Sequence, residues 1–143
     1  MAITAALCNS YKKEILDGVH EAADTYKIAL YTSSATLSKA TTAYSGTNEV
    51  ANGNGYTTGG ATLTGFSTSL DGDVAILDFT SDPEWTDATI TAAGALIYNS
   101  SQSNKAVAVL SFGGDITSTA GTFKVTFPAA AASTGLIRLE APA

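Results

Sequence analysis

At 143 residues the chain suits one domain, which at this length buries roughly 68–70% of the surface its unfolded form exposes. Hydrophobic residues make up 45% and charged residues 14%, a balance that excludes wholesale disorder. Seven Lys and Arg against thirteen Asp and Glu give a net charge of −6, which argues against nucleic acid or an anionic membrane as partner.

Ile3, Leu7, Tyr11 and Ile15 recur every four positions, and this spacing predicts one helix over about residues 3–17, with Lys12, Lys13, Glu14 and Asp17 facing away. Gly18 provides a stop, since glycine enters the left-handed conformation at low steric cost. Cys8 is the single cysteine and reads as a small buried apolar residue, so the fold must stand without an internal disulfide. The start lacks a secretory pattern and no run approaches the ~18 apolar residues of a membrane span, so a soluble protein made in a cytoplasm is expected.

Thr25 to Thr32 alternates, with Tyr26, Ile28 and Leu30 on one face and Lys27, Ala29 and Tyr31 on the other, which predicts a half-buried strand. Residues 33–60 are dominated by Ser, Thr, Ala, Asn and Gly and read as a long loop, a candidate contact arm because loops of that length are uncommon unless functional or disordered. Asp71-Gly72 predicts a type I′ hairpin turn between Leu63–Leu70 and Val74–Phe79. Further strands are expected at Ala88–Ala92, Ala95–Asn99, Ala106–Phe112, Thr122–Phe127 and Gly135–Glu140, with Pro128 ending the penultimate one. Many short strands, one helix and no strand–helix alternation point to a mainly β fold, an antiparallel β-sandwich or jelly-roll-like barrel with one N-terminal α-helix, in a single unit over 1–143.

Few residues are suited to chemistry. His20, the only histidine, lies beside Glu21, but no G-x-S-x-G surrounds a serine nucleophile, and an ordinary surface or interface role is expected for it. Asp71, Asp73, Asp78, Asp82, Glu84 and Asp87 cluster in sequence, yet their spacing matches neither an EF-hand nor a glycosidase pair, and solvated strand ends account for them. Gly53-Asn54-Gly55 with Gly59-Gly60 lacks the Lys-Ser/Thr of a phosphate-binding loop. Trp85, Tyr44 and Tyr56 offer stacking surfaces for a sugar or an interface, with a core or rim role the simpler reading for Trp85. Asn99-Ser100-Ser101 matches a glycosylation sequon by chance. No catalytic, cofactor-binding or metal-binding residue is therefore assigned, no cofactor is expected, and the chain is expected not to be an enzyme.

Several phrases carry a resemblance: Tyr26–Ser33 (YKIALYTS), Asn48-Glu49-Val50, Gly55-Tyr56-Thr57-Thr58-Gly59-Gly60 followed by Ala61–Leu63, Ala95–Ser100 (ALIYNS) and Lys105–Phe112 (KAVAVLSF). In this order they resemble a family of small structural proteins of tailed bacteriophages, over nearly the whole chain from the N-terminal helix to Leu139. The resemblance implies a virion component on the capsid surface, a decoration or cement protein bound to the major capsid protein and to itself as a homodimer or homotrimer. It brings no catalytic motif, and it leaves open a tail or head-fibre component or adhesin that binds host glycans.

Overall fold

In the computed structural model, which describes residues 2–140, the chain runs β1 (Ala6–Leu7), α1 (Asn9–Leu16), β2 (Tyr26–Tyr31), β3 (Ala61–Thr62), β4 (Phe66–Asp71), β5 (Val74–Phe79), β6 (Glu84–Asn99), β7 (Lys105–Lys124) and β8 (Ile137–Leu139). The strands form two antiparallel sheets, of order β1-β7-β6-β2-β3 and β4-β5-β8. The protein is thus mainly β, a sandwich with one short helix near its N-terminus. Aromatic rings join the layers: Tyr26 of the large sheet stands 5.4 Å from Phe66 and 5.6 Å from Phe79 of the small one. Ile28, Leu30, Ile90, Leu96, Ile97, Val107 and Val109 fill the large sheet's share of the core, each such burial stabilising by about 1.5–3 kcal/mol.

The helix is shorter than its apolar period suggests. Ile3 bridges Leu37, and Ala6 and Leu7 pair with Val109 and Ala108 at the edge of β7, so the first two members of the four-residue series are extended. Cys8, itself extended, precedes the helix and donates its N–H to the Val107 carbonyl. A sheet edge next to this segment supplies hydrogen bonds that an isolated helical turn would have to nucleate alone. The predicted stop holds: Gly18 at φ +74 donates to the Ile15 carbonyl and Val19 to the Glu14 carbonyl, closing the helix with a Schellman motif.

The β4–β5 hairpin forms where expected, with its turn moved by one residue. Asp71 pairs with Val74, so Gly72 and Asp73 are the central residues, and of the two only Gly72 has positive φ (+62). That pattern suits a type II′ turn, not the type I′ turn that Asp71-Gly72 suggests.

Two pairs of expected strands fuse into long ones. The segments 88–92 and 95–99 are both parts of β6, and 106–112 joins the start of 122–127 in β7. Glycines at the boundaries between these expected strands allow bulges. Between the pairs Ala92↔Ile116 and Gly94↔Ser111, Ala93 alone faces Phe112–Asp115, where Gly113 and Gly114 take positive φ. Gly94 itself is fixed by close approach, since a Cβ there would stand 2.5 Å from the Leu110 carbonyl oxygen.

Residues 33–60 form no regular strand, yet they are not a detached arm. Backbone hydrogen bonds tie the segment to three strands: Val50 N–H to Leu30, Ala106 N–H to Thr42, and Thr89 N–H to Asn54. Its own Ala35, Leu37, Val50 and Tyr56 are buried. It is a strap across the large sheet, and β2 is consequently buried on both faces, Ala29 and Tyr31 included.

Candidate functional site

An apolar groove of about 210 Å³ lies between α1 and the small sheet. Tyr11 and Ile15 of the helix and His20 beyond it form one wall, and Phe66, Leu77 and Ile137 of the sheet line the other. Register explains the sheet's contribution. Leu70 and Leu139 both stand opposite Ala75, and Thr68 and Ile137 opposite Leu77, so one face of β4-β5-β8 presents apolar side chains in rows. The rows run beyond the groove into solvent: Leu70 is 77% and Leu139 46% exposed, and Leu16 at the end of the helix is 88% exposed. An apolar rim of this kind marks a surface suited to a protein partner.

Behind the groove lies a buried polar network. The His20 side chain is 2% exposed. Its Nε2 lies 2.9 Å from Glu14 Oε1, and its Nδ1 lies 3.0 Å from the Asn99 side-chain nitrogen. That amide also donates to Asp24 Oδ2 at 2.7 Å, so the geometry requires Nδ1 as acceptor and Nε2–H as donor to Glu14. Burial pushes the Asp24 carboxyl upward, but hydrogen bonds from Asn99, the Glu21 N–H and Gln102 outweigh it and hold the carboxyl below its ordinary value. His20 is therefore not a surface residue, and its carboxylate partner is Glu14, one helical turn and a loop away, not Glu21. Both ring nitrogens are occupied by the protein itself. Asn99 is fully buried in this network, which removes the sequon from glycosylation.

The carboxylates between Asp71 and Asp87 scatter over β4, β5, β6 and the connections between them. Asp71 accepts from the Ala132 N–H, Asp78 from the Phe79 N–H, and Asp82 from the Phe127 N–H. Among the described residues, no three His, Cys, Asp or Glu side chains gather where they could hold a metal ion. The Gly53–Gly60 stretch makes a tight turn, with Gly53 and Tyr56 exchanging backbone hydrogen bonds. Gly60 lies so close to β2 that a Cβ would collide with the Ile28 carbonyl. Trp85 is a core residue, 6.1 Å from Phe123 and 5.9 Å from Tyr56, and Tyr44 stacks on Tyr98 at 4.6 Å. Burial drives the Cys8 thiol up to about 11, the state of an inert structural cysteine.

Glu49, which carries no catalytic pattern in the sequence, is the latch of the strap. Its carboxylate accepts from the hydroxyls of Tyr44 and Tyr56, each at 2.6 Å, and from the Gly59 N–H at 2.7 Å. The Tyr56 hydroxyl in turn accepts from the Leu30 N–H, and Tyr98 donates to the Gly59 carbonyl. Burial raises the Tyr44 and Tyr56 phenols, and the bonds to Glu49 raise them further. The sequence signal is slight: an isolated acid in a polar run, flanked by two tyrosines at spacings that only the folded strap brings together.

Comparison with protein-family models, with curated proteins and with solved structures finds no match to this chain. No described helix is long and apolar enough to cross a membrane.

Proposed function

We propose that this protein is a structural component of a tailed-bacteriophage particle, a capsid decoration or cement protein that binds the outside of the head and bridges neighbouring major capsid proteins. The observation that carries this reading is the apolar rim of the groove, where the sheet's rows end in Leu70 and Leu139, both exposed to solvent. Such side chains favour burial against a protein, and an acidic chain of net charge −6 disfavours a polyanion in that position. The phage-like phrases between Tyr26 and Phe112 supply the kind of assembly, and they supply it by resemblance.

The mechanism is additive contact without chemistry. A packed genome presses outward, and a domain seated across a subunit boundary adds interface that must be broken before the shell opens. One interface of roughly 1,200–2,000 Å² is modest, but repetition over many equivalent sites multiplies its effect. The test uses purified shells lacking the protein. Added protein should occupy the outer surface and raise the temperature at which the shells rupture; no occupancy, or localisation to the tail by immunogold, overturns the proposal.

A further inference from the structure

The outer edge of β7 is a second surface with a defined occupant. Among the described residues, the Ile116–Lys124 portion of β7 pairs with β6 on one side and with no strand on the other. Among the described residues, no backbone group outside β6 bonds to the main chain of residues 112–124. An open edge of this length is a template for another strand, and natural proteins usually block it with proline or with charges along its length. Here the charges stand only at the ends, Asp115 and Lys124, and residues 116–123 carry none.

The edge is also self-complementary. Its pairing with β6 puts Ile116, Ser118, Gly121 and Phe123 on the core side, opposite Ala92, Ile90, Ala88 and Trp85. A bulge lies between Ser118 and Gly121, where Ala120 takes φ +45. In a regular antiparallel pair, residues that share a face have position numbers of even sum when a strand meets its own copy. The extra residue of the bulge shifts this to an odd sum. Pairing 116 with 123 then sets Ile116 against Phe123 of a second copy, Thr117 against Thr122, Ser118 against Gly121, and Asp115 against Lys124. From 116 to 123 each of these partners shares a face, the two large apolar side chains meet, and the two charges stand beside their opposites at the ends.

We infer that the β7 edge is the contact through which two copies of this chain associate, antiparallel about a two-fold axis between Thr119 and Ala120. The inference rests on the proposed decoration role and deepens it by naming the surface for self-association. The bulge makes the edge selective: a regular strand from another protein loses register beyond Ala120, whereas a second copy brings a matching extra residue. Ile116, 49% exposed, flanks a shallow apolar pocket with Phe112 and the buried Phe123, which the second copy's own Ile116 would cover. Lys124 already lies 3.9 Å from the partly buried Asp82 of its own chain, a long contact that leaves its half-exposed ammonium able to meet a second carboxylate.

Sedimentation of the full-length chain over a concentration series tests this, without shells. The wild type should form a dimer, and Asp115→Lys, which sets like charges at both ends of the ribbon, should weaken it roughly tenfold or more. Chains carrying Thr117→Cys mixed with chains carrying Thr122→Cys should cross-link under oxidation into the mixed dimer, because opposed residues lie ~5 Å apart between Cα atoms, within disulfide reach. A monomer at all concentrations overturns the inference. So does a dimer that neither responds to Asp115→Lys nor cross-links when the Thr117→Cys and Thr122→Cys chains are mixed. A monomer that still coats shells would overturn this edge alone; a β7-linked dimer that ignores shells would overturn the decoration role alone.

Discussion

Replacing Glu49 by alanine should loosen the whole strap. The substitution strips the acceptor from the Tyr44 and Tyr56 hydroxyls and from the Gly59 N–H at once. Tyr44 is half-buried and can rehydrate, so Tyr56 and Gly59 carry most of the cost. Hydrogen bonds to a charged group contribute ~1.5–3 kcal/mol each and are not additive within one network, which gives a loss of about 3–5 kcal/mol. With a urea slope of roughly 2 kcal/mol per molar, the unfolding midpoint falls by about 2 M. Amide exchange should locate the damage, with Val50 and Gly59 losing protection before the β6–β7 core. Glu49→Gln keeps one acceptor oxygen and should lose about half as much. A midpoint shift under about 0.5 M for Glu49→Ala, with the strap amides still protected, would refute the latch.

Gly60→Ala places a Cβ against the Ile28 carbonyl at φ +80, and backbone on both sides prevents relief, so a loss of about 3 kcal/mol or more is expected; an unchanged melting temperature contradicts the packing of the strap on β2. Burial raises all six phenols, Tyr11 and Tyr98 to about 12. Because the folded values lie above the unfolded value of 10, this stabilisation is intact below pH 10 and is lost as pH rises toward 12, by ~1.4 kcal/mol per unit for each ring. Tyrosinate absorbance should therefore rise together with loss of the β circular-dichroism signal, and ionisation near pH 10 with the fold intact would speak against the buried phenols. Leu70→Lys combined with Leu139→Lys should change stability by no more than about 0.5 kcal/mol per site, since both side chains are exposed, while abolishing shell occupancy; unaltered occupancy would move the contact away from the groove.

Much of the architecture is written in local patterns. The alternation at Tyr26–Tyr31, the apolar run Val74–Phe79 and the Gly18 stop each became the element expected, because strand and helix periods are short-range properties of neighbouring side chains. The readings that changed are those in which a distant segment competes with a local preference. Ile3 and Leu7 fit a helical period, but the edge of β7 captures the second and Leu37 the first. Gly113 and Gly114 look like a turn, yet β6 continues past them and turns them into a bulge. Glycine's freedom is visible in a sequence; which of its conformations is used depends on the strand alongside.

Composition, charge and periodicity were enough to establish a mainly β domain with one N-terminal helix, though not that helix's length, and to argue against a polyanionic partner, since these depend on totals and on neighbours a few residues apart. Burial of His20 against Glu14 and Asn99, the Glu49 latch, the leucine rim and the open β7 edge arise from residues up to 79 positions apart. Their proximity is a consequence of chain crossings between sheets, and no periodic pattern in one dimension encodes which loop will lie across which strand.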